Sequence, residues 1–432
     1  MNYSNLNQIK ILSFFSCLIV PFLVTGPFLP DLLLSLLSLW FLYYIFKNKF
    51  FYIFQNKFFY FFLSFCFFSI FSSLISDDVI LSFESSLFYF RIGVFCLLIS
   101  YLISQDKNIL KYFYYTLLAT FSVLIFYALI EYIFHLNNHP VRISSLFRDE
   151  LILGSYLSRL FPLIAALFFI RKNKSDQEKF FFLVFFALTY IVIFLSGERA
   201  AFFNINLTLL IFIFFINIDK KKIFLALTIF ISLFSIFIIS SKFNYTGNKL
   251  IERYTLSIYR SMNLSSFFEK KDEVSNNYSN SSQISKKNTN KLIIFTKGHE
   301  ALYLTAFKMF LDRPIIGHGP KMFRVKCSDP NYSTGKLSCM THPHNFYIQL
   351  LAETGIVGFS FLFGLFIYVI YLLIKFYYFK IVKKKKVYSN YQICLLTCLL
   401  ITVWPFIPNG NFFNNYLMIL YCLPLGFIKN KN

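Results

Sequence analysis

The sequence predicts an all-α, polytopic membrane protein, and three observations carry that expectation. The 432 residues are 57% hydrophobic and 14% charged, with 62 phenylalanines. A soluble core cannot absorb that much apolar surface, whereas a bilayer can. The apolar residues fall in runs close to the ~20 residues that cross a hydrocarbon core of roughly 30 Å. Basic residues then collect in alternate gaps between those runs.

Twelve runs qualify as spans: 8–25, 30–46, 58–76, 85–104, 112–134, 151–170, 180–196, 200–217, 223–241, 356–376, 390–407 and 412–428. The first lacks a small-residue cleavage site, so it reads as a span and not as a removable leader. Residues 1–241 are then spans one to nine, and 242–345 form the one sizeable loop domain. Residues 346–432 hold an interfacial helix and the last three spans.

Lysine marks one side. Lys47, Lys49 and Lys57, then Lys107 and Lys111, then Arg171 to Lys179, then Lys220 to Lys222 occupy alternate gaps, and Lys380 to Lys386, Lys429 and Lys431 continue the pattern. The positive-inside rule puts these and both termini in the cytoplasm, and the 242–345 loop outside. The net charge of +22 is therefore a topology signal and gives no nucleic-acid reading. Arginine behaves differently. Of the ten arginines, only Arg171 falls on the lysine side. Arg142, Arg148, Arg159, Arg199, Arg253, Arg260, Arg313 and Arg324 map to outer loops or outer span ends, and Arg91 lies within the fourth span. His135, His139, His299, His318, His342 and His344 are also outside. A planar guanidinium fork suits phosphate, although ion pairs within an outer domain would also use arginine.

The outer loop divides by composition. Residues 261–290 are rich in Ser, Asn and Lys and read as a flexible insertion. Residues 297–311 read as an amphipathic helix, with His299, Tyr303, Ala306 and Phe310 along one stripe. Asp312, Arg313 and Pro314 stop it, and Gly317 to Pro320 make a turn. Cys327 and Cys339 are the only cysteines outside the spans and are expected to pair in an oxidising compartment.

Two segments hold the chemistry. Thr341, His342, Pro343, His344 and Asn345 precede Gly355 and Gly358, and Pro343 suits a first helical turn. On one continuous helix, Gly355 and Gly358 would lie within about 20° and 40° of His344, sharing a face open to another helix or a lipid. His344 reads equally as a capping residue. In the second segment, Leu195 to Arg199, there is scarcely any loop between spans seven and eight. Arg199 is therefore held at a helix start, a natural diphosphate site or else a snorkelling position.

These residues resemble the O-antigen ligase and O-antigen polymerase superfamily, GT-C type glycosyltransferases of the bacterial inner membrane. Ser196 to Ala201 resembles its arginine motif, and Arg313 to Pro320 its P-x-x-G-x-G turn. His344 and Asn345 with Gly355 and Gly358 match the ligase pattern H-N-x9-G-x-x-G. The insertion at 261–290 departs from the family and blurs whether Arg253 or Arg260 is its loop arginine. The resemblance implies a metal-independent, cofactor-free enzyme at the periplasmic face. Its donor would be a glycan on undecaprenyl diphosphate, and its acceptor lipid A–core or another lipid-linked glycan. It implies His344 as general base and Arg199 on the developing diphosphate charge. Arg253 or Arg260, with Arg142, Arg148, Asn345, Gly355 and Gly358, would bind substrate. The ligase pattern favours a ligase over a polymerase. A lipid-linked sugar transporter is a third reading, but it calls for charges deep in several spans, where only Arg91 and Glu131 qualify.

Overall fold

The computed structural model describes residues 3–134, 136, 142–216, 228, 234–235, 248–252, 254, 297–383 and 387–428, and within them helices alternate with irregular segments and there is no strand. Helices α1 (Tyr3–Phe22), α2 (Phe28–Asn48), α3 (Lys57–Leu74), α4 (Val79–Ser86), α5 (Phe90–Gln105) and α6 (Asn108–Ile133) form the first half. They are followed by α7 (Leu153–Ile170), α8 (Asp176–Leu195) and α9 (Arg199–Phe215). The outer loop contributes α10 (Lys297–Asp312) and α11 (Phe323–Lys326). The chain then runs through α12 (Phe346–Ile381), α13 (Asn390–Thr402) and α14 (Asn415–Cys422).

The helices begin where the sequence supplies caps. Asn56 accepts from the Phe58 and Phe59 amides ahead of α3. Ser175 with Glu178, and Ser389 with Gln392, form reciprocal capping boxes ahead of α8 and α13. Each such cap stabilises its helix by about 1 kcal/mol.

The centre of the bundle is α7, in which every residue from Leu153 to Phe168 except Ser155 is buried. Helices α6, α8, α9 and α13 surround it. The outward faces leave large apolar side chains such as Phe67, Phe126, Phe214 and Ile374 exposed. That surface suits lipid and would be a liability in water.

Among the described residues, seven helical stretches are long and apolar enough to cross a membrane, and four more are apolar but shorter: Gln8–Phe22, Arg199–Phe215, Asn390–Thr402 and Asn415–Phe427. These bear out the expectation of an all-α chain with several helices able to cross a membrane, and two of the expected spans differ in their ends. The eleventh stops at Thr402 because Pro405 and Pro408 cannot continue a helix, and an irregular segment runs on to Asn414. The fourth is two helices, α4 and α5, joined through Leu87, Phe88 and Tyr89. Most of the ninth, 223–241, and the whole 261–290 insertion lie outside the described residues.

The outer loop has a small core of its own, built from Leu302, Ala306, Met309, Phe323, Cys327, Tyr332 and Ala352. The buried stripe of α10 is thus Leu302, Thr305, Ala306 and Met309, rotated from the predicted one; His299, Tyr303 and Phe310 lie half-buried beside it. Cys327 and Cys339 are bonded, with their Cα atoms 4.8 Å apart. Ion pairs tie this unit to α3 and α4: Arg313 to Asp77 at 3.1 Å, Lys326 to Asp77 at 2.5 Å and Lys321 to Glu84 at 3.2 Å.

Candidate active site

The site begins with an interruption in α12. Gly355 has φ 63° and ψ −165°, so the helix stops there and restarts. Such a break leaves carbonyls unpaired on one side and amides on the other. The Arg313–Pro320 turn supplies both. His318 and Gly319 donate their amides to the Ala352 and Glu353 carbonyls, at 3.1 and 2.7 Å. Ile356 and Val357 donate to the Pro314 and Ile315 carbonyls, at 2.8 and 3.4 Å. A Cβ on Gly355 would collide with the Ile315 carbonyl, and one on Gly317 with the Glu353 backbone. A Cβ on Gly358 would meet the Thr354 side chain. The expectation that His344 and both glycines share one helical face is therefore corrected: the helix between them is not continuous. Gly355 and Gly317 admit a neighbouring backbone, and Gly358 makes room for the Thr354 side chain.

Ten residues before Gly355, Asn345 caps the start of α12. Its Oδ1 accepts from the Tyr347 and Ile348 amides at 3.0 and 3.2 Å, and its Nδ2 donates to the Pro405 carbonyl at 2.7 Å. The side chain is buried and its polar atoms are taken, so it fixes the approach to α12. This leaves His344 in the left-handed region at φ 58°, with its carbonyl accepting from the Asn409 amide at 2.8 Å. Its ring lies 4.2 Å from that of His342 and 5.7 Å from that of His299. Burial holds His344 below the usual imidazole range. His299 is lowered by burial, then by the neighbouring His344 and Arg199 charges. His342 is pushed down to about 3 by burial, with His344 and Arg324 adding to it. The three rings are thus neutral near pH 7 and able to accept a proton.

The second wall is the Ser196–Arg199 turn. Gly197 takes φ 66°. Glu198 occupies the N-cap position of α9 without capping it. It instead reaches α7, where its carboxylate accepts from the Gly154 and Ser155 amides at 2.7 and 3.1 Å. Burial pushes that carboxyl up to about 7, against the lowering effect of Arg142 and the two amides. Arg142 braces the turn, donating from Nε to the Ser196 carbonyl at 3.1 Å and from Nη2 to the Leu151 carbonyl at 3.0 Å. Arg199 opens α9 with an exposed side chain, close enough to His299 to depress its basicity.

Residues 182–363, which contain the Arg199 turn, α10, the Arg313–Pro320 turn and the His344 segment, match the family model described as O-antigen ligase. The match supports the O-antigen ligase and polymerase superfamily for that segment. No curated protein matches the chain.

The structure gathers His344, His342, His299 and Arg199 at one end of the O-antigen ligase segment. Arg142 lies beside the Arg199 turn, but its guanidinium is engaged by backbone carbonyls. Arg148 is exposed at the surface, in the left-handed region at φ 54°. Arg253, Arg260, His135 and His139 lie outside the described residues. His318 is fully buried, with Nε2 2.9 Å from the Met309 carbonyl, and is structural. The sequence reading passed over two groups. His299 was visible only as part of a helix stripe. Arg159, taken as one more outer arginine, is buried inside α7, where it donates to Asn409 Oδ1 at 2.7 Å and stacks over Tyr421 at 4.3 Å. It thereby braces the same Asn409 whose amide holds His344. An ionisable residue inside an apolar run was the available signal.

Proposed function

We propose that the chain is a glycosyltransferase of the ligase type. It moves a glycan from undecaprenyl diphosphate to lipid A–core or a similar acceptor, at the periplasmic face of the bacterial inner membrane. The observation that carries this reading is Arg199, in the first turn of α9, within electrostatic reach of His299, whose ring lies 5.7 Å from that of His344. In the reaction, His344 takes the proton of the acceptor hydroxyl as its oxygen bonds to the anomeric carbon. The bond from that carbon to the diphosphate oxygen breaks, and the electron pair leaves with the lipid diphosphate. Arg199 and the start of α9 stabilise the developing charge, with Arg253 or Arg260 contributing from the loop. Asn345, Gly355 and Gly358 act by holding His344 and its supporting turn in place, and Arg142 by bracing the Arg199 turn.

A strain lacking the protein tests this. Its lipopolysaccharide is run on a gel beside mass spectrometry of its undecaprenyl-linked glycans. Long polymer stranded on the carrier, with bare lipid A–core, supports the ligase. Single repeats still attached to core would make the protein a polymerase. No change in either pool would overturn glycan transfer itself.

A further inference from the structure

The bundle has a second opening, at the far end of α7 from Glu198. There a cavity of about 810 Å³ is lined by the end of α5, the start of α6 and residues just past α7. Lys107, Lys111, Arg171 and Lys172 line it, and no carboxylate does among its described wall residues. Arg171 is held in place by Glu178 at 2.5 Å and by stacking over Tyr114 at 5.0 Å, while the three lysines are exposed. Three exposed lysines and the ion-paired Arg171 around one concavity, with no acid among its described wall residues, attract an anion.

A narrower cavity of about 180 Å³, almost wholly apolar, lies between α3, α5, α12 and α13. Phe58, Phe62, Leu365 and Leu399 are among its walls. The two cavities share Leu97, Ser100 and Ile428 as wall residues, so they adjoin. Along α5, Gly93 and Cys96 line the slot, Leu97 and Ser100 both spaces, and Ser104 the cationic cavity. The helical rise from Gly93 to Ser104 covers about 16 Å. The combined shape is an apolar channel ending in a cationic mouth at the end of the bundle.

We propose that these two cavities together hold one anionic phospholipid, its phosphate among the four basic side chains and an acyl chain along α5. Charge complementarity decides the occupant. The slot alone would accept any acyl chain, and the lysines alone would only orient the protein in the membrane. Their adjacency along α5 suits a molecule that is anionic at one end and apolar beyond it. This site lies at the opposite end of α7 from His344 and does not depend on the glycan-transfer reading.

The test uses the full-length protein, purified in detergent and stripped of lipid. Phosphatidylglycerol and phosphatidylcholine of identical chains are titrated, with native mass spectrometry reading occupancy and glycerol phosphate as the chainless competitor. Phosphatidylglycerol should bind at least about tenfold tighter than phosphatidylcholine, since each nearby Lys or Arg favours an anionic headgroup severalfold. The double variant Lys107→Glu, Lys111→Glu should lose about that factor. Both lysines are exposed, and thermal unfolding should confirm that the variant is folded. Ser100→Phe, on the shared wall, should weaken phosphatidylglycerol binding with all four charges intact. Equal binding of the two lipids, or phosphatidylglycerol binding that survives the lysine reversal, overturns the proposal. Competition by glycerol phosphate as effective as that of the lipid would mean a simple phosphate site and would also overturn it.

Discussion

Two helix interruptions among the described residues, at Gly355 and at Ser196–Arg199, are finished differently. At Gly355 each side of the break finds partners: the Ala352 and Glu353 carbonyls and the Ile356 and Val357 amides are all paired by the turn between Pro314 and Gly319. At Ser196–Arg199 the helix restarts with no side-chain cap, because Glu198 turns its carboxylate to α7. A break whose orphan groups are paired within the protein is scaffolding. One that opens a helix with an uncapped first turn and an exposed arginine is suited to an anionic ligand. The two glycine motifs and the arginine motif therefore do different work, although in sequence each is a short pattern at a span end.

The sharpest way to break this comparison is to change the two sites in parallel. Arg199→Ala should lower glycan transfer by about 10²–10³, the usual loss for one donor to a developing anion. His344→Ala should lower it by about 10²–10⁴, as for a general base. Both should leave thermal unfolding in detergent near that of the parent. Full activity in both variants would sink the site assignment. Gly355→Ala should do the reverse. It forces a side chain into the left-handed region and against the Ile315 carbonyl, costing about 2–4 kcal/mol of stability. Activity should then follow the amount of folded protein. A Gly355→Ala protein with unchanged stability and lost transfer would make Gly355 a substrate contact after all.

The pH dependence of transfer sharpens the catalytic half of the comparison. His344 must be neutral to take a proton, and burial holds it below the ordinary imidazole value near 6.5. Activity should therefore persist at pH 6.5 and fall about tenfold per unit only below the lowered value. An acid limb above 6.5 would contradict the buried, neutral His299–His344 pair.

Much of the fold was legible because hydropathy is a local property: the runs at 30–46, 58–76 and 112–134 each contain the middle of a helix. Span ends were less legible where tertiary contacts decide them, as at Val403–Asn414, whose backbone is held by Asn345 and Tyr347 from α12. Arg199 and His344 stood out because polar groups are scarce in this chain. Their neighbours did not, because His299, Arg159 and Asn409 are 40 to 210 residues from one or the other in sequence, and only the folded chain brings them near. The Gly355 break misled the angular reasoning for a related reason. A helical wheel assumes continuity, and the turn that lets the helix break lies almost forty residues upstream.

The smallest effect concerns Glu198, and it runs opposite in sign to that of the histidines. Its folded-state value is about 7 against 4.5 for the free side chain, so between those values the folded protein keeps a proton that the unfolded chain has released. Stability must then fall as pH rises through that window. The buried histidines, held below 6.5, bind fewer protons folded than unfolded, so their contribution rises with pH just below 6.5. The two trends overlap in the parent protein, and Glu198→Gln separates them. Glutamine keeps one acceptor for the α7 amides and loses the other, a pH-independent cost of about 1 kcal/mol. The difference in unfolding free energy between parent and variant should therefore shift by on the order of 1 kcal/mol between pH 5 and pH 8, in favour of the variant at the higher pH. A constant offset across that range would mean that Glu198 is ionised in the fold throughout, and that its hold on α7 is a fixed charge and not a titrating one.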